Sequence, residues 1–176
     1  MGGSPVTRNR TVCPRDCRDE CSDCRFDWAG GGACRYERAA AHGIVYGVEP
    51  HVGSIIPRPD LAARMVAAVP GLTLSLDYTH FTRLGTPDAE IEPLVPYAKH
   101  LHIRGARPGR LQAPLKENTV DYERVLAAAR ASGYAGWLAV EYVWIDWEHC
   151  NECDNVSESI LFRDLLRRLT AEWPAA

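Results

Sequence analysis

No stretch of this 176-residue sequence is apolar over the ~18–20 residues that crossing a bilayer as a helix requires, so no membrane partner is expected. Positive charge is not in surplus either. The formal net charge of -3 argues against a nucleic-acid partner, because such binders carry a basic face. Met1-Gly2-Gly3-Ser4-Pro5 is not followed by an apolar signal core, which predicts a cytoplasmic protein. The seven cysteines are odd in number. Without a secretory signal they argue against a disulfide framework and leave metal binding or free thiols. What is present is the composition of a globular domain, 46% hydrophobic and 24% charged, in a chain long enough for one sizeable core.

Residues 1–34 stand apart. They hold five of the cysteines and Gly30-Gly31-Gly32, with Arg and Asp interspersed and hardly any aliphatic residue. Neither the helical nor the strand period is visible, so the segment is expected to be an irregular Cys-rich extension. Cys17, Cys21 and Cys24 have the CxxxCxxC spacing that holds a 4Fe–4S cluster in radical S-adenosylmethionine enzymes. No strand precedes them, Asp23 stands where an aromatic is usual, and no full barrel follows. A zinc knuckle drawn from Cys13, Cys17, Cys21, Cys24 and Cys34 is a second reading. Incidental thiols, in a segment not native to the fold, are a third.

Residues 35–176 are patterned throughout. A helix end at Arg35–His42 is stopped by Gly43. Pro59 opens a helix with Leu61, Met65 and Val69 on one stripe. Thr86-Pro87 caps a short helix, Asp121 caps another with Val120 and Val125 as its hydrophobic staple, and Asn155 with Glu158 forms a capping box for the last. Between them lie four strand-like runs: Ile44–Glu49, Leu72–Asp77, His100–Ile103 and Trp137–Glu141. This β-α-β-α-β-α-β-α order predicts a parallel sheet with right-handed crossovers. A closed barrel of this kind needs eight such units; the expectation is therefore a partial, half-sized barrel.

The four runs end in Glu49, Asp77, His102 and Glu141. In a parallel β/α array all strand C-termini point to one face, where α/β folds keep their chemistry. Three carboxylates and one imidazole suit a divalent ion, Mn, Mg, Co or Zn, with positions left open for substrate oxygens. Each alone is an ordinary polar strand end; four on consecutive strands point to a metal. Cys150 and Cys153 also spell CxxC but lack a second pair nearby and read as loop residues.

Val48-Glu49-Pro50-His51, Leu76-Asp77-Tyr78-Thr79-His80, His100-Leu101-His102-Ile103-Arg104 and Val140-Glu141-Tyr142 together resemble the strand ends of the xylose isomerase-like sugar phosphate isomerase/epimerase family, a TIM-barrel family of carbohydrate metabolism. The resemblance spans roughly residues 36–170 and corresponds to strands five to eight. It implies that Glu49, Asp77, His102 and Glu141 are metal ligands, that Glu49 and Glu141 also serve as the catalytic acid/base pair, and that His80 contacts a sugar or sugar-phosphate substrate. Arg107 stands one residue short of the family's substrate-binding arginine. His51, His100 and Lys116 are further candidates for the mouth of the site, and Arg104, Arg107 and Arg110 for phosphate recognition.

The family's N-terminal half-barrel has no counterpart in this pattern. Two open edges and exposed apolar barrel-interior side chains are expected, and with them a homo-oligomer or a partner that completes the barrel. The alternatives are a non-catalytic half-barrel remnant or interaction module, and an endonuclease-IV-like DNA repair enzyme. The latter needs further His and carboxylate ligands and a basic face.

Overall fold

A computed structural model describes residues 28–173; Cys13, Cys17, Cys21 and Cys24, with the cluster and knuckle readings built on them, lie outside the described residues. The chain runs α1 (Trp28–Ala41), β1 (Gly47–Val48), α2 (Pro59–Ala68), β2 (Thr73–Asp77), α3 (Tyr78–Arg83), α4 (Asp88–Ile91), β3 (Ala98–Ile103), α5 (Tyr122–Ala131), β4 (Trp137–Val140) and α6 (Asn155–Leu169), with short 3-10 turns at Glu92–Tyr97, Leu115–Glu117 and Trp147–Glu152. The four strands form one sheet in the order β1-β2-β3-β4, and every pair is parallel. No helix of the described residues is long and apolar enough to cross a membrane.

Strand parity decides what lies on each face of the sheet, because successive side chains alternate. Leu74, Leu76, Leu101 and Ile103 are buried against Phe81, Ile91, Leu94, Val125, Leu126 and Phe162 in one core. Burying each such side chain contributes roughly 1.5–3 kcal/mol. Ile56, Met65, Val69 and Leu72 form a smaller cluster with Tyr36 and Tyr46 under α1 and α2. The opposite parity carries Thr73, Ser75, His100, His102 and Ala139, all partly exposed. This face was expected to be apolar and is mostly polar or small instead. The apolar exception is Trp137 on edge strand β4, 79% exposed.

Several local expectations shift. The first helix starts at Trp28, ahead of Arg35, and runs to Ala41; Gly43, with a φ of +67°, supplies the left-handed stop just after it. β1 keeps only two residues; Ile44 and Val45 are 60% and 69% exposed, since an edge strand bonds to one neighbour and its ends are easily lost. Asp121 does cap α5, accepting from Arg124 N at 3.0 Å. The cap of α6 is Asp154, bonded to Ser157 N at 3.1 Å. Asn155 is drawn off to Gln112 and Glu158 to Leu115 N. Pro87 occupies the cap position of α4 with no side-chain bond, and Thr86 precedes it.

Candidate metal centre

Glu49, Asp77, His102 and Glu141 converge at the C-terminal end of the sheet, on its polar face. Asp77 and His102 are register partners on β2 and β3, while Glu49 and Glu141 follow β1 and β4 directly. One ligand atom from each lies within 4.8 Å of all the others. Bonds of ~2.0–2.3 Å would set opposite ligand atoms ~4–4.6 Å apart. The group is therefore only slightly wider than one ion would require.

Asp77 is fully buried and engaged at both oxygens. Oδ1 accepts from Thr79 N (2.8 Å) and Thr79 Oγ1 (2.6 Å), which caps α3; Oδ2 accepts from Arg104 Nη2 at 2.7 Å. Arg104 is 3% exposed. It also donates from Nε to Thr79 Oγ1 (3.0 Å) and from Nη1 to Glu141 O (3.4 Å), and Nη2 lies 3.7 Å from Glu141 Oε2. Its backbone is pinned by the Tyr122 hydroxyl, which donates to Arg104 O at 2.6 Å and accepts from Arg104 N at 3.2 Å. The Tyr122 ring meets buried Phe162 edge-on, so the hydrophobic core sets the guanidinium's position. Gly105 follows because a Cβ there would fall 2.2 Å from Ala113 O, and its N–H instead reaches the Tyr142 hydroxyl at 3.0 Å.

His102 Nδ1 lies 3.0 Å from Glu49 Oε1 and 3.2 Å from Glu141 Oε2. Hydrogen bonds to Glu141 and Glu49 push the imidazole pKa up to about 10. Burial alone would raise the Glu49 pKa, but His102 and His80 outweigh it and hold this carboxyl well below the usual range. The charges then point to an ion. Three carboxylates against one fixed guanidinium leave two negative charges, which one divalent cation neutralises once His102 binds as a neutral ligand. In the metal-free chain the His102 proton compensates in part.

His80, on α3, is buried with Nε2 3.5 Å from Arg104, 3.7 Å from Asp77 and 3.8 Å from Glu49. Its Nδ1 is buried with no hydrogen-bond partner among the described residues. His51 lies against it, ring centroids 4.1 Å apart. His100 meets His102 edge-on at 4.8 Å. Arg107 is held on Glu117 at 3.3 Å in an exposed pair, and Lys116 is exposed. Cys150 and Cys153 are buried free thiols.

The loop after β4, residues 141–154, crosses the strand ends. Glu148 takes two bonds from Arg83, 2.7 and 2.8 Å, Glu152 pairs with Arg110, and Gln112 ties Val143 to Cys150. Glu148 and His149 adopt φ of 58° and 59°, a region costing non-glycine residues about 1–3 kcal/mol and held only where surroundings enforce it. The loop lays Trp147 flat on His51, centroids 5.1 Å apart and planes 9° apart.

Sequence reasoning brought the four candidate ligands and His80 together but missed the place of Arg104, named only as a candidate for phosphate. Its signal was parity: it lies two residues beyond His102 and therefore on the same face.

The family model of xylose isomerase-like TIM barrels matches residues 26–165. No curated protein matches this chain. Among solved structures, a probable 3-DHS dehydratase, AsbF, from Bacillus anthracis is similar at a TM-score of 0.57 and 16% identity, over 77% of this chain and 55% of that one. The 3-keto-D-glucoside 4-epimerase YcjR from E. coli gives 0.54 at 19% identity, over 78% and 49%. A xylose isomerase-like TIM barrel protein from Mycobacterium smegmatis, in complex with magnesium, gives 0.50 at 22%, over 73% and 47%. The chain thus spans about half the length of these structures. On the match to residues 26–165, the chain belongs to the xylose isomerase-like TIM barrel family.

Proposed function

We propose that this chain carries the metal-binding half of a divalent-metal-dependent sugar or sugar-phosphate isomerase or epimerase, which moves a proton at a carbon next to a carbonyl. The observation that carries the reading is the convergence of Glu49, Asp77, His102 and Glu141 with a two-charge deficit beside buried Arg104. The sugar epimerase among its structural neighbours supports the same class.

When bound, a divalent ion (Mn, Mg, Co or Zn) held by these four residues supplies electrophilic stabilisation to a carbonyl and a neighbouring hydroxyl, acidifying the C–H between them. The ligands divide by access. Asp77 is sealed at 0% side-chain exposure, whereas Glu49 and Glu141 keep 33% and 35%. Both glutamates lie within hydrogen-bond reach of His102 Nδ1. As the exposed carboxylates of the group, they are the proposed acid/base pair, one taking a proton from a substrate carbon and the other returning it. Arg104 orients Asp77 and Thr79 as a support behind the ligands, a role that tunes ligand geometry. His80, with Nδ1 unpartnered, is the substrate contact nearest the centre. Arg107 reaches substrate only by leaving Glu117.

The edges of β1 and β4, unpaired among the described residues, and exposed Trp137 support closure of the barrel by a second copy or a separate partner. A cytoplasmic setting accords with the free Cys150 and Cys153. The test joins three measurements on the full chain: bound metal, oligomeric state, and exchange of solvent deuterium into a panel of ketoses. Metal-dependent exchange supports the assignment. A monomer with no metal and no exchange refutes it and leaves a non-catalytic half-barrel.

A further inference from the structure

Cys150 and Cys153 bracket the last turn of the loop that crosses the strand ends, and the metal centre uses neither. Both are free thiols, 0% and 8% exposed. The Cys153 N–H bonds to Cys150 O at 3.5 Å and closes the turn Cys150-Asn151-Glu152-Cys153. A chain bent in this way brings its first and fourth Cα atoms within about 7 Å, and a disulfide spans ~4.4–6.8 Å between Cα atoms. The two side chains also share one environment. Burial pushes both thiols above their ordinary pKa, Arg110 acts on each, and Cys150 acts on Cys153.

The loop around them is held mainly by side chains. Arg83 grips Glu148, Arg110 pairs with Glu152, and Gln112 Nε2 donates to Cys150 O at 2.7 Å and to Val143 O at 3.1 Å. Just before the turn, Glu148 and His149 keep φ of 58° and 59°, strain that relaxes once its surroundings let go. Local opening of this loop therefore breaks few bonds, and it uncovers Cys153, the less buried thiol, first. Cys150 sits deeper, close enough to Arg104 and Glu141 for both to act on its sulfur. Whatever fixes the turn thus bears on the metal centre.

We propose that Cys150 and Cys153 are a dithiol–disulfide switch that staples this loop over the metal centre. The oxidant is a small-molecule disulfide such as glutathione disulfide. With the loop open, the Cys153 thiolate attacks the oxidant, its S–S bond breaks, and one glutathione leaves a mixed disulfide behind. The Cys150 thiolate then attacks the Cys153 sulfur and expels the second glutathione. Two protein thiols are oxidised, the oxidant is reduced to two thiols, and the two protons pass to the departing thiolates. The new bond replaces the long Cys153–Cys150 hydrogen bond and holds the turn shut; excess reduced glutathione reverses it. Disulfides in a reducing compartment are of this transient, redox-sensing kind. Control of the centre rests on the metal reading above, whereas the thiol chemistry does not.

The experiment equilibrates the full chain in glutathione buffers from reducing to oxidising, quenches with iodoacetamide and digests with trypsin. Residues 131–163 hold no Lys or Arg before Arg163, so both thiols fall on one peptide that carries no other cysteine. In oxidising buffer this peptide should lose both alkylation sites together and run two hydrogens lighter than the dithiol; reducing buffer should restore both. Exchange of the backbone amides of residues 142–153 should slow about tenfold on oxidation, the chain-entropy worth of closing so short a loop. Release of manganese to EDTA from the MnCl2-loaded chain should slow by a similar factor. Cys153→Ser should take up manganese like the reduced wild type and show neither change. Thiols that stay alkylatable in glutathione disulfide, stop at the mixed disulfide, or cross-link to the N-terminal cysteines overturn the switch. So does a disulfide that leaves the loop's amide exchange unchanged. Manganese released at one rate in both states overturns control of the centre and leaves the metal reading standing. No manganese bound in either state overturns that control and the metal reading together.

Discussion

Loading a divalent ion onto this chain should release a proton, and the apparent affinity should climb about tenfold per pH unit across the neutral range. The reason is His102. Without metal its Nδ1 lies 3.0 Å from Glu49 and 3.2 Å from Glu141, and bonds to Glu141 and Glu49 hold its pKa near about 10. At about pH 7 the imidazole is then protonated by roughly a thousand to one, and removing the proton costs about 4 kcal/mol at ~1.36 kcal/mol per pH unit. That cost shrinks as pH rises and vanishes near 10, because an imidazole must give up its extra proton to bind a metal. Glu49 is held well below the usual range, is ionised throughout, and contributes no slope. Stability of the metal-free fold runs the other way. The His102 pKa is raised above its ordinary 6.5, so this stabilisation is complete below about pH 6.5 and is lost as pH rises towards 10. Titration calorimetry of MnCl2 in two buffers of different ionisation enthalpy counts the proton released, and repetition from about pH 6.5 to 9 gives the slope. His102→Gln should bind weakly with a flat profile. No proton release, or a flat wild-type profile, would refute the picture of a proton standing in the metal's place.

Two further outcomes follow from buried contacts. Arg104→Met strips the fully buried Asp77 carboxylate of its cation, and urea unfolding of the metal-free chain should lose about 3–5 kcal/mol. Added MnCl2 should restore part of it, and Arg104→Lys should do poorly, because one ammonium cannot serve Asp77 and Thr79 together; a loss under ~1 kcal/mol contradicts this account. At the last helix, Asp154→Ala should lower the urea midpoint as the loss of a true cap, and by more than Asn155→Ala; equal shifts would contradict the cap assignment.

The positions that sequence reasoning placed well are governed by near neighbours. Asp121 caps α5 because the chain three residues on supplies the N–H it needs. Pro59 starts α2 because its own ring sets the backbone angle. The alternative caps of α6 show the limit. Asp154 and Asn155 are both competent, and the choice falls to Asp154 because Gln112 and Leu115, from a loop far earlier in the chain, claim Asn155 and Glu158. The sheet's polar face is another such case. Ser75, His100 and His102 were read within strands of apolar character, yet parity gathers them on the face that the helices do not cover.

By itself the sequence determined four parallel strands with polar ends and, through them, the gathering of Glu49, Asp77, His102 and Glu141 in one place as a candidate ligand set, because alternation and chain direction leave those side chains one place to go. Only the tertiary structure decided what surrounds them. Arg104 becomes the buried counter-charge of Asp77 across 27 residues of chain, and Arg83 latches Glu148 across 65. Trp147 comes to rest on His51 at the far edge of the sheet. Those pairings depend on how helices and loops stack around the sheet, which no local pattern encodes.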